Sequence, residues 1–202
     1  MPLFAVGVSH HTAPLAVRER LAIPSRNLAT LLPALRGRLA ADELAVLSTC
    51  NRTELYLVAS EAVGRSAQLA ACLGACGDLP PDPLQPHVYI RADDGAAAHL
   101  FRVSAGLDSM VLGESEITAQ VKQAYLAAQA HGTIGPVLHR LFQKALHSAK
   151  LIRSRTRIAD GHASIGAVVA TLAKQVFGER LPECDALLWG AGKAAEATAR
   201  HV

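Results

Sequence analysis

Aromatic side chains are scarce. Phe, Trp and Tyr together make up 4% of the 202 residues, which excludes a core of stacked rings and leaves Ala, Leu and Val to fill it. Charge is also thin, at 18% of residues, while half the chain is hydrophobic. That apolar fraction excludes intrinsic disorder. The surplus of cations is small, a formal net charge of +3, and such a balance by itself points to no nucleic-acid partner. Long apolar runs are missing as well. The clean stretch from Ala163 to Ala173 stops at Lys174, short of the ~20 residues a membrane span needs. No basic residue precedes Arg18, so no signal peptide is expected. The four cysteines, at positions 50, 72, 76 and 184, contain no Cys-x-x-Cys pair. Neither a zinc site nor a disulfide framework is expected, and a reduced, cytoplasmic setting fits them.

What is present divides the chain into one large or two small domains, at ~150 residues per domain. Leu3 to Val8 reads as a strand, followed by the polar turn Ser9-His10-His11-Thr12 and a short helix opened by Pro14. Ser25 then caps a helix whose stripe is Leu28, Leu31, Leu32, Leu35 and Leu39, with Pro33 expected to kink it. Strands at Glu43–Leu47 and Glu54–Ala59 flank the polar stretch Ser48–Thr53. A helix over Ala62–Cys76, a Pro-rich loop over Leu79–Pro86, a strand at Val88–Arg91 and a helix capped by Asp93 or Asp94 and ending before Gly106 complete the order. It reads β-α-β-β-α-β with one extra helix: an α+β, ferredoxin-like layer.

Beyond Gly113 the chain turns helical. One stripe is Ile117, Val121, Ala124, Tyr125 and Ala128, stopping at Gly132. A long helix follows from Pro136 to about Arg157, with Leu138, Leu141, Phe142, Ala145, Ala149 and Ile152 on its apolar face and Arg140, Lys144 and His147 opposite. After a break at Asp160-Gly161, a further helix ends at Gly178. Ala186 to Trp189 then reads as a strand running into Gly190-Ala191-Gly192-Lys193-Ala194-Ala195. This is a G-x-G-x-x-A turn between strand and helix, the pattern that lets backbone amides approach a pyrophosphate at a helix N-terminus. The alternative is an ordinary Gly-rich βα loop. The residue that distinguishes NAD from NADP falls ~20 positions further on, beyond these 202.

Ser48-Thr49-Cys50-Asn51-Arg52-Thr53-Glu54 is the most informative stretch. It sets one thiol among polar residues with a guanidinium two positions away, a cation that would favour the thiolate nucleophile or clamp a carboxylate. On spacing alone the favoured reading is a turn whose polar residues serve the backbone around a small buried Cys. Cys72 and Cys76 lie on a core-facing helical stripe and read as inert packing. His99 sits beside Leu100 and Phe101, where a lone His is usually a core-edge residue.

Together these pieces resemble the glutamyl-tRNA reductase family. The resemblance rests on Gly7-Val8-Ser9-His10-His11-Thr12-Ala13-Pro14 and on Leu47-Ser48-Thr49-Cys50-Asn51-Arg52-Thr53-Glu54-Leu55-Tyr56. It continues through His99-Leu100-Phe101-Arg102-Val103, Gly106-Leu107-Asp108-Ser109-Met110-Val111-Leu112-Gly113-Glu114 and Gln120-Val121-Lys122. It implies NADPH-dependent reduction of glutamyl-tRNA(Glu) to glutamate-1-semialdehyde through a cysteine thioester, the first step of five-carbon tetrapyrrole synthesis. Cys50 corresponds to the nucleophile and His99 to a histidine important for activity. Thr49, Asn51 and Arg52 correspond to the segment that holds the glutamyl group, with Ser109, Glu114 and Gln120 as further substrate contacts. Ser115-Glu116 departs from the family pattern at a contact position, Glu116 adding a carboxylate where the substrate itself brings one. Gly190 to Ala195 corresponds to the NADPH phosphate loop, with Lys193-Ala194-Ala195 replacing a more usual acidic or Met-containing turn.

The same resemblance implies a catalytic domain with a helical linker over residues 1–158 and, over 159–202, the opening of a Rossmann-like α/β domain. It further implies a homodimer formed through C-terminal helices that follow in the family, and glutamate-1-semialdehyde aminomutase as a partner. On this reading the chain is an N-terminal portion, expected by itself to form the thioester without reducing it. The rival readings are a Cys-dependent esterase or acyl-transferase, and a non-catalytic RNA-binding or regulatory module using the basic face of the Pro136–Arg157 helix.

Overall fold

The computed structural model describes residues 2–59, 66–77, 79–158, 165–190 and 192–200. Four strands, β1 (Leu3–Ser9), β2 (Glu43–Ser48), β3 (Arg52–Val58) and β4 (Tyr89–Ala92), form one antiparallel sheet in the order β2-β3-β1-β4. The helices are α1 (Leu15–Leu21), α2 (Leu28–Arg38), α3 (Ser66–Gly74), α4 (Pro81–Leu84), α5 (Asp93–Ser104), α6 (Glu116–Ala130), α7 (Pro136–Arg155), α8 (Ile165–Phe177) and α9 (Lys193–Ala199). The β1-α-β2-β3-α-β4 order with β1 central is the ferredoxin-like arrangement that the sequence pattern predicts.

Each face of the sheet has its own core, because alternate residues of a strand point to opposite sides. Phe4, Val6, Val8, Leu44, Val46, Leu55 and Leu57 pack beneath α1, α2 and α3, together with Leu21, Leu32, Leu35 and Leu73. Leu3, Ala5, Ala45, Leu47, Tyr56 and Val58 pack against α5, α6 and α7 through Leu100, Val121, Leu138 and Phe142. Helices α5, α6 and α7 thus form a third layer on the sheet.

Several local expectations need correction. Leu79–Pro86 is not a plain loop. Pro80 and Pro81 carry the fixed φ of a helix start, and α4 follows, continued by a 3-10 turn at Gln85–His87. Ser25 does not cap α2; it opens a 3-10 turn, and α2 begins at Leu28 and runs through Pro33 to Arg38. β3 begins two residues earlier than expected, at Arg52, which decides the geometry of the site. Residues 62–65 of the expected Ala62–Cys76 helix, and the break at Asp160-Gly161, lie outside the described residues.

Ala186–Trp189 is not a strand. A strand exists only by pairing its backbone, no described strand lies beside these residues, and Leu187 and Trp189 are almost fully exposed.

The start of α7 shows how the layers are tied. Pro136 has no amide hydrogen to satisfy, and the next two amides, of Val137 and Leu138, donate to the Glu43 carboxylate at 3.0 and 2.6 Å. Glu43 is the first residue of β2 and is buried. A Cβ at Gly135 would lie 2.6 Å from Glu43 Cδ, so only glycine admits this carboxylate to the helix end.

Candidate active site

Cys50 and Asn51 form the tip of the β2–β3 hairpin. The Thr49 amide donates to the Arg52 carbonyl at 2.8 Å, and the Thr49 hydroxyl accepts from the amides of Asn51 and Arg52, each at 3.1 Å. A threonine at this place builds the turn by bonding its own backbone. Outside contacts then pin the tip. The His10 amide donates to the Asn51 carbonyl at 2.9 Å. Arg18 donates to the Cys50 carbonyl at 2.7 Å and to Asn51 Oδ1 at 3.2 Å. The Cys50 side chain is exposed, so the reading of a small buried Cys is excluded.

The tip overlooks a cavity of about 310 Å³. Thr49, Cys50, Asn51 and Arg52 form one wall, and Ser109, Glu114, Glu116 and Gln120 stand in the other. Eight residues named from the sequence as substrate contacts thus converge in one place. Ser115 and His99 are not among its lining residues. The loop Gly106–Gly113 shapes the second wall. Its ends have positive φ, +74° and +77°, and close on each other through Gly113 N–H to Gly106 O at 2.9 Å. A Cβ at Gly113 would lie 2.1 Å from the Ile158 carbonyl oxygen. Glu114 spends its carboxylate on the start of α6, accepting from the amides of Glu116 (2.8 Å) and Ile117 (3.2 Å) and from the Ser109 hydroxyl at 3.3 Å.

Arg52, Glu54 and Tyr56 alternate along β3 onto the face covered by α5–α7 and form a buried polar row leading away from the cavity. Arg52 donates to Glu54 Oε1 at 2.7 Å and to Asp108 Oδ2 at 3.0 and 3.1 Å; its side chain is 1% exposed. Glu54 also accepts from Tyr56 and Tyr89, each at 2.5 Å, and from His99 Nε2 at 3.0 Å. Four donors around one carboxylate are a strong reason for it to stay ionised. Burial pushes the Glu54 carboxyl up, but the His99 hydrogen bond and the Arg52 charge outweigh it and hold its pKa at about 2. Burial and the Glu54 charge push both tyrosine hydroxyls upward. His10 is shifted down by burial and by its neighbours His11 and Arg52, and its Nδ1 has no partner among the described residues.

The sequence reading of the site missed Arg18, Glu54, Tyr56, Tyr89 and Asp108. The signal for two of them was available: Arg52, Glu54 and Tyr56 are spaced by two, as one face of a strand requires, once the strand is started at Arg52. Arg18 and Asp108 reach the site only through tertiary contact.

At the other end of the chain, Gly190 has φ +122° and Gly192 caps the seven-residue α9. The helix half of the expected phosphate loop is present and the strand half is not; Ala191 lies outside the described residues. A Cβ at either glycine would meet nothing within 4 Å, which leaves the turn open to a close-approaching group.

Comparison with known proteins decides the lineage. The sequence model of the "Glutamyl-tRNAGlu reductase, N-terminal domain" matches residues 6–156. The chain belongs to the glutamyl-tRNA reductase family. The glutamyl-tRNA reductase of Halorhodospira halophila is 44% identical over all 202 residues, which cover 44% of that protein. That of Pseudomonas aeruginosa is 41% identical over the same residues, 47% of its length. The chain thus spans about half the length of the curated relatives it matches. Among solved structures, the glutamyl-tRNA reductase from Methanopyrus kandleri superposes with a TM-score of 0.71 at 28% identity, covering 98% of this chain and 46% of that one. The family match contains every residue lining the Cys50 cavity.

Proposed function

We propose that this chain captures the glutamyl group of glutamyl-tRNA(Glu) as a thioester on Cys50, within the NADPH-dependent reduction to glutamate-1-semialdehyde that begins tetrapyrrole synthesis. The observation that carries the reading is the placement of the exposed Cys50 thiol on the wall of a cavity lined by the residues that correspond to the family's substrate contacts. Cys50 Sγ attacks the carbonyl carbon of the aminoacyl ester. The new C–S bond replaces the ester C–O bond, and the thiol proton ends on the released ribose oxygen of the tRNA. Arg18 and His10 hold the backbone of the tip while this occurs.

The glutamyl group is a zwitterion apart from its ester, and the cavity offers something to each charge. Glu116 meets the α-ammonium, which gives a role to the departure at Ser115-Glu116. Asn51 and Gln120 supply neutral donors to the side-chain carboxylate, and Ser109 holds Glu114 in the same wall. Arg52 acts behind them, holding Asp108 and Glu54. His99 acts through Glu54.

NADPH, when bound, supplies the hydride, and by the family resemblance Gly190, Ala191, Gly192, Lys193, Ala194 and Ala195 would form one element of its phosphate site. On this reading residues 1–158 form the catalytic unit and 159–202 open the nucleotide-binding one, in a cytoplasmic enzyme. Dimerisation and an aminomutase partner belong to the whole enzyme on the same reading. No described helix is long and apolar enough to cross a membrane.

The test is acid-quench trapping of a labelled glutamyl–protein adduct from charged tRNA. An adduct with the native chain and none with Cys50→Ser is expected. An adduct that survives the substitution refutes the reading.

A further inference from the structure

The tip of the β2–β3 hairpin carries the N–H and C=O groups of Cys50 and Asn51, and each backbone polar group of a fixed turn needs a partner. Both carbonyls are taken. That of Cys50 accepts from Arg18 at 2.7 Å, and that of Asn51 accepts from the His10 amide at 2.9 Å. The Asn51 amide donates to the Thr49 hydroxyl at 3.1 Å. The Cys50 amide alone of this set has no acceptor among the described residues. It belongs to the residue that carries the exposed thiol and lines the cavity.

The Asn51 side chain adds a second donor at the same place. A guanidinium can only donate, so its bond from Arg18 at 3.2 Å fixes Oδ1 as the end of the Asn51 amide that faces α1. Arg18 is itself anchored, its Nε donating to the Ala13 carbonyl at 3.2 Å. The Nδ2 end of Asn51 is left without a partner among the described residues, on a side chain that lines the cavity. Released from Arg18, the amide could turn over and present its oxygen instead. Two other donors of the cavity wall are already engaged: Arg52 with Glu54 and Asp108, and Ser109 with Glu114.

We propose that the Cys50 N–H and Asn51 Nδ2 form the oxyanion hole of the acylation step, with Arg18 as the positioning residue that keeps Asn51 donor-first. The proposal rests on the thioester reading above. When Cys50 Sγ bonds to the carbonyl carbon, the C=O π pair moves onto the carbonyl oxygen. On collapse that pair restores the C=O bond, the ester C–O bond breaks, and the thiol proton ends on the released ribose oxygen. The charge on the carbonyl oxygen exists only in between, so donors already aimed at it stabilise the transition state and not the bound ester. A nucleophile's own amide is suited to this, because the acyl carbon hangs from the side chain of the same residue. Nδ2 carries two hydrogens, which leaves one for the carboxylate contact given above.

The experiment sets a reaction that creates an oxyanion beside one that does not. Acylation of Cys50 by glutamyl-tRNA, followed by acid quench on the full chain, passes through the tetrahedral adduct. Alkylation by iodoacetamide displaces iodide at a saturated carbon. In Asn51→Ala the maximal acylation rate should fall about 10²–10³-fold, the usual loss of one oxyanion-hole donor, with the Cys50 alkylation rate as in the native chain. The missing carboxylate contact adds only to the glutamyl-tRNA concentration needed for half-maximal rate. Arg18→Met should lower the maximal rate in the native background and add little to Asn51→Ala, since it acts through that side chain. An unchanged maximal rate in Asn51→Ala, or acylation and alkylation falling by one factor, overturns the oxyanion assignment and leaves the thioester reading intact. Losses from Arg18→Met and Asn51→Ala that multiply in full overturn the positioning role. A native chain that forms no adduct overturns both readings.

Discussion

His99 and Glu54 meet at 3.0 Å, Nε2 to Oε1, in a buried row that borders the Cys50 cavity only through Arg52. The histidine is 4% exposed and also packs edge-on to Tyr89. It supports a carboxylate that in turn fixes Arg52, and Arg52 fixes Asp108 on the loop that forms the opposite wall. His99 thus stands two contacts away from the cavity lining.

Removing it should show that distance. His99→Ala takes one donor from a buried carboxylate, a loss of ~1.5–3 kcal/mol, so the denaturation midpoint should fall. The iodoacetamide alkylation rate of Cys50 should stay as in the native chain, and His99→Gln, which keeps a donor, should recover most of the stability. A slowed Cys50 with unchanged stability would place His99 at the thiol instead.

Arg52→Lys should behave as a structural lesion. The guanidinium fork spans Glu54 and Asp108 at once, and an ammonium on a flexible stem cannot do so. The expected cost is at least one charge-assisted hydrogen bond, ~1.5–3 kcal/mol, read by urea unfolding. Native stability with weakened use of glutamyl-tRNA would show that Arg52 serves the substrate rather than the wall.

Glu54 predicts an acid limit. Its folded pKa is depressed to about 2 from the ordinary carboxyl value of 4.5, so its contribution is full above the unfolded pKa and is lost as pH falls from about 4.5 through about 2. Urea midpoints measured from pH 6 down to pH 2.5 should drop across that window. In Glu54→Gln the drop should be shallower, on a base already lowered by breaking a buried pair, ~3–5 kcal/mol. Parallel slopes for the two proteins would assign the acid sensitivity to other carboxylates.

Thiol labelling should sort the cysteines into two classes. Cys50 and Cys184 are exposed. Cys72 is buried in the core, and burial pushes the half-buried Cys76 thiol up to about 11. Mass spectrometry after brief iodoacetamide treatment at pH 7.5 should find the first pair modified and the second intact. A glutamyl thioester should protect Cys50 and leave Cys184 reactive. Labelling of Cys72 at the rate of Cys50 would contradict the packing of α3.

Much of this was legible in the sequence. Strands β1, β2 and β4 show in hydrophobic runs that the turns bracket, and α6 and α7 in stripes that a 3.6-residue period explains. The cavity wall was legible through motif resemblance alone, because nothing in the spacing of Ser109 or Gln120 says that they face Cys50. What the pattern hid was polarity inside the sheet. A strand that starts Arg-Thr-Glu looks like a continuing turn, since buried charges are rare and no single-chain pattern announces their partners. Asp108, His99 and Tyr89 make Arg52 and Glu54 tolerable, and they arrive from three separate elements. Ala186–Trp189 errs the other way: its β-prone residues lack a neighbour to pair with, and local propensity cannot supply one.

The Glu43 carboxylate at the head of α7 has a consequence for assembly. The two groups are 94 positions apart, yet the helix cannot satisfy its second and third amides until the first residue of β2 is in place. Sheet and helical layer are therefore bound to form together, and neither half is a module that could be shuffled alone. A chain severed within 107–112, between α5 and α6, should yield two pieces that are each poorly ordered and that regain structure on mixing. Evolutionary exchange of the helical layer would have to carry β2 along with it.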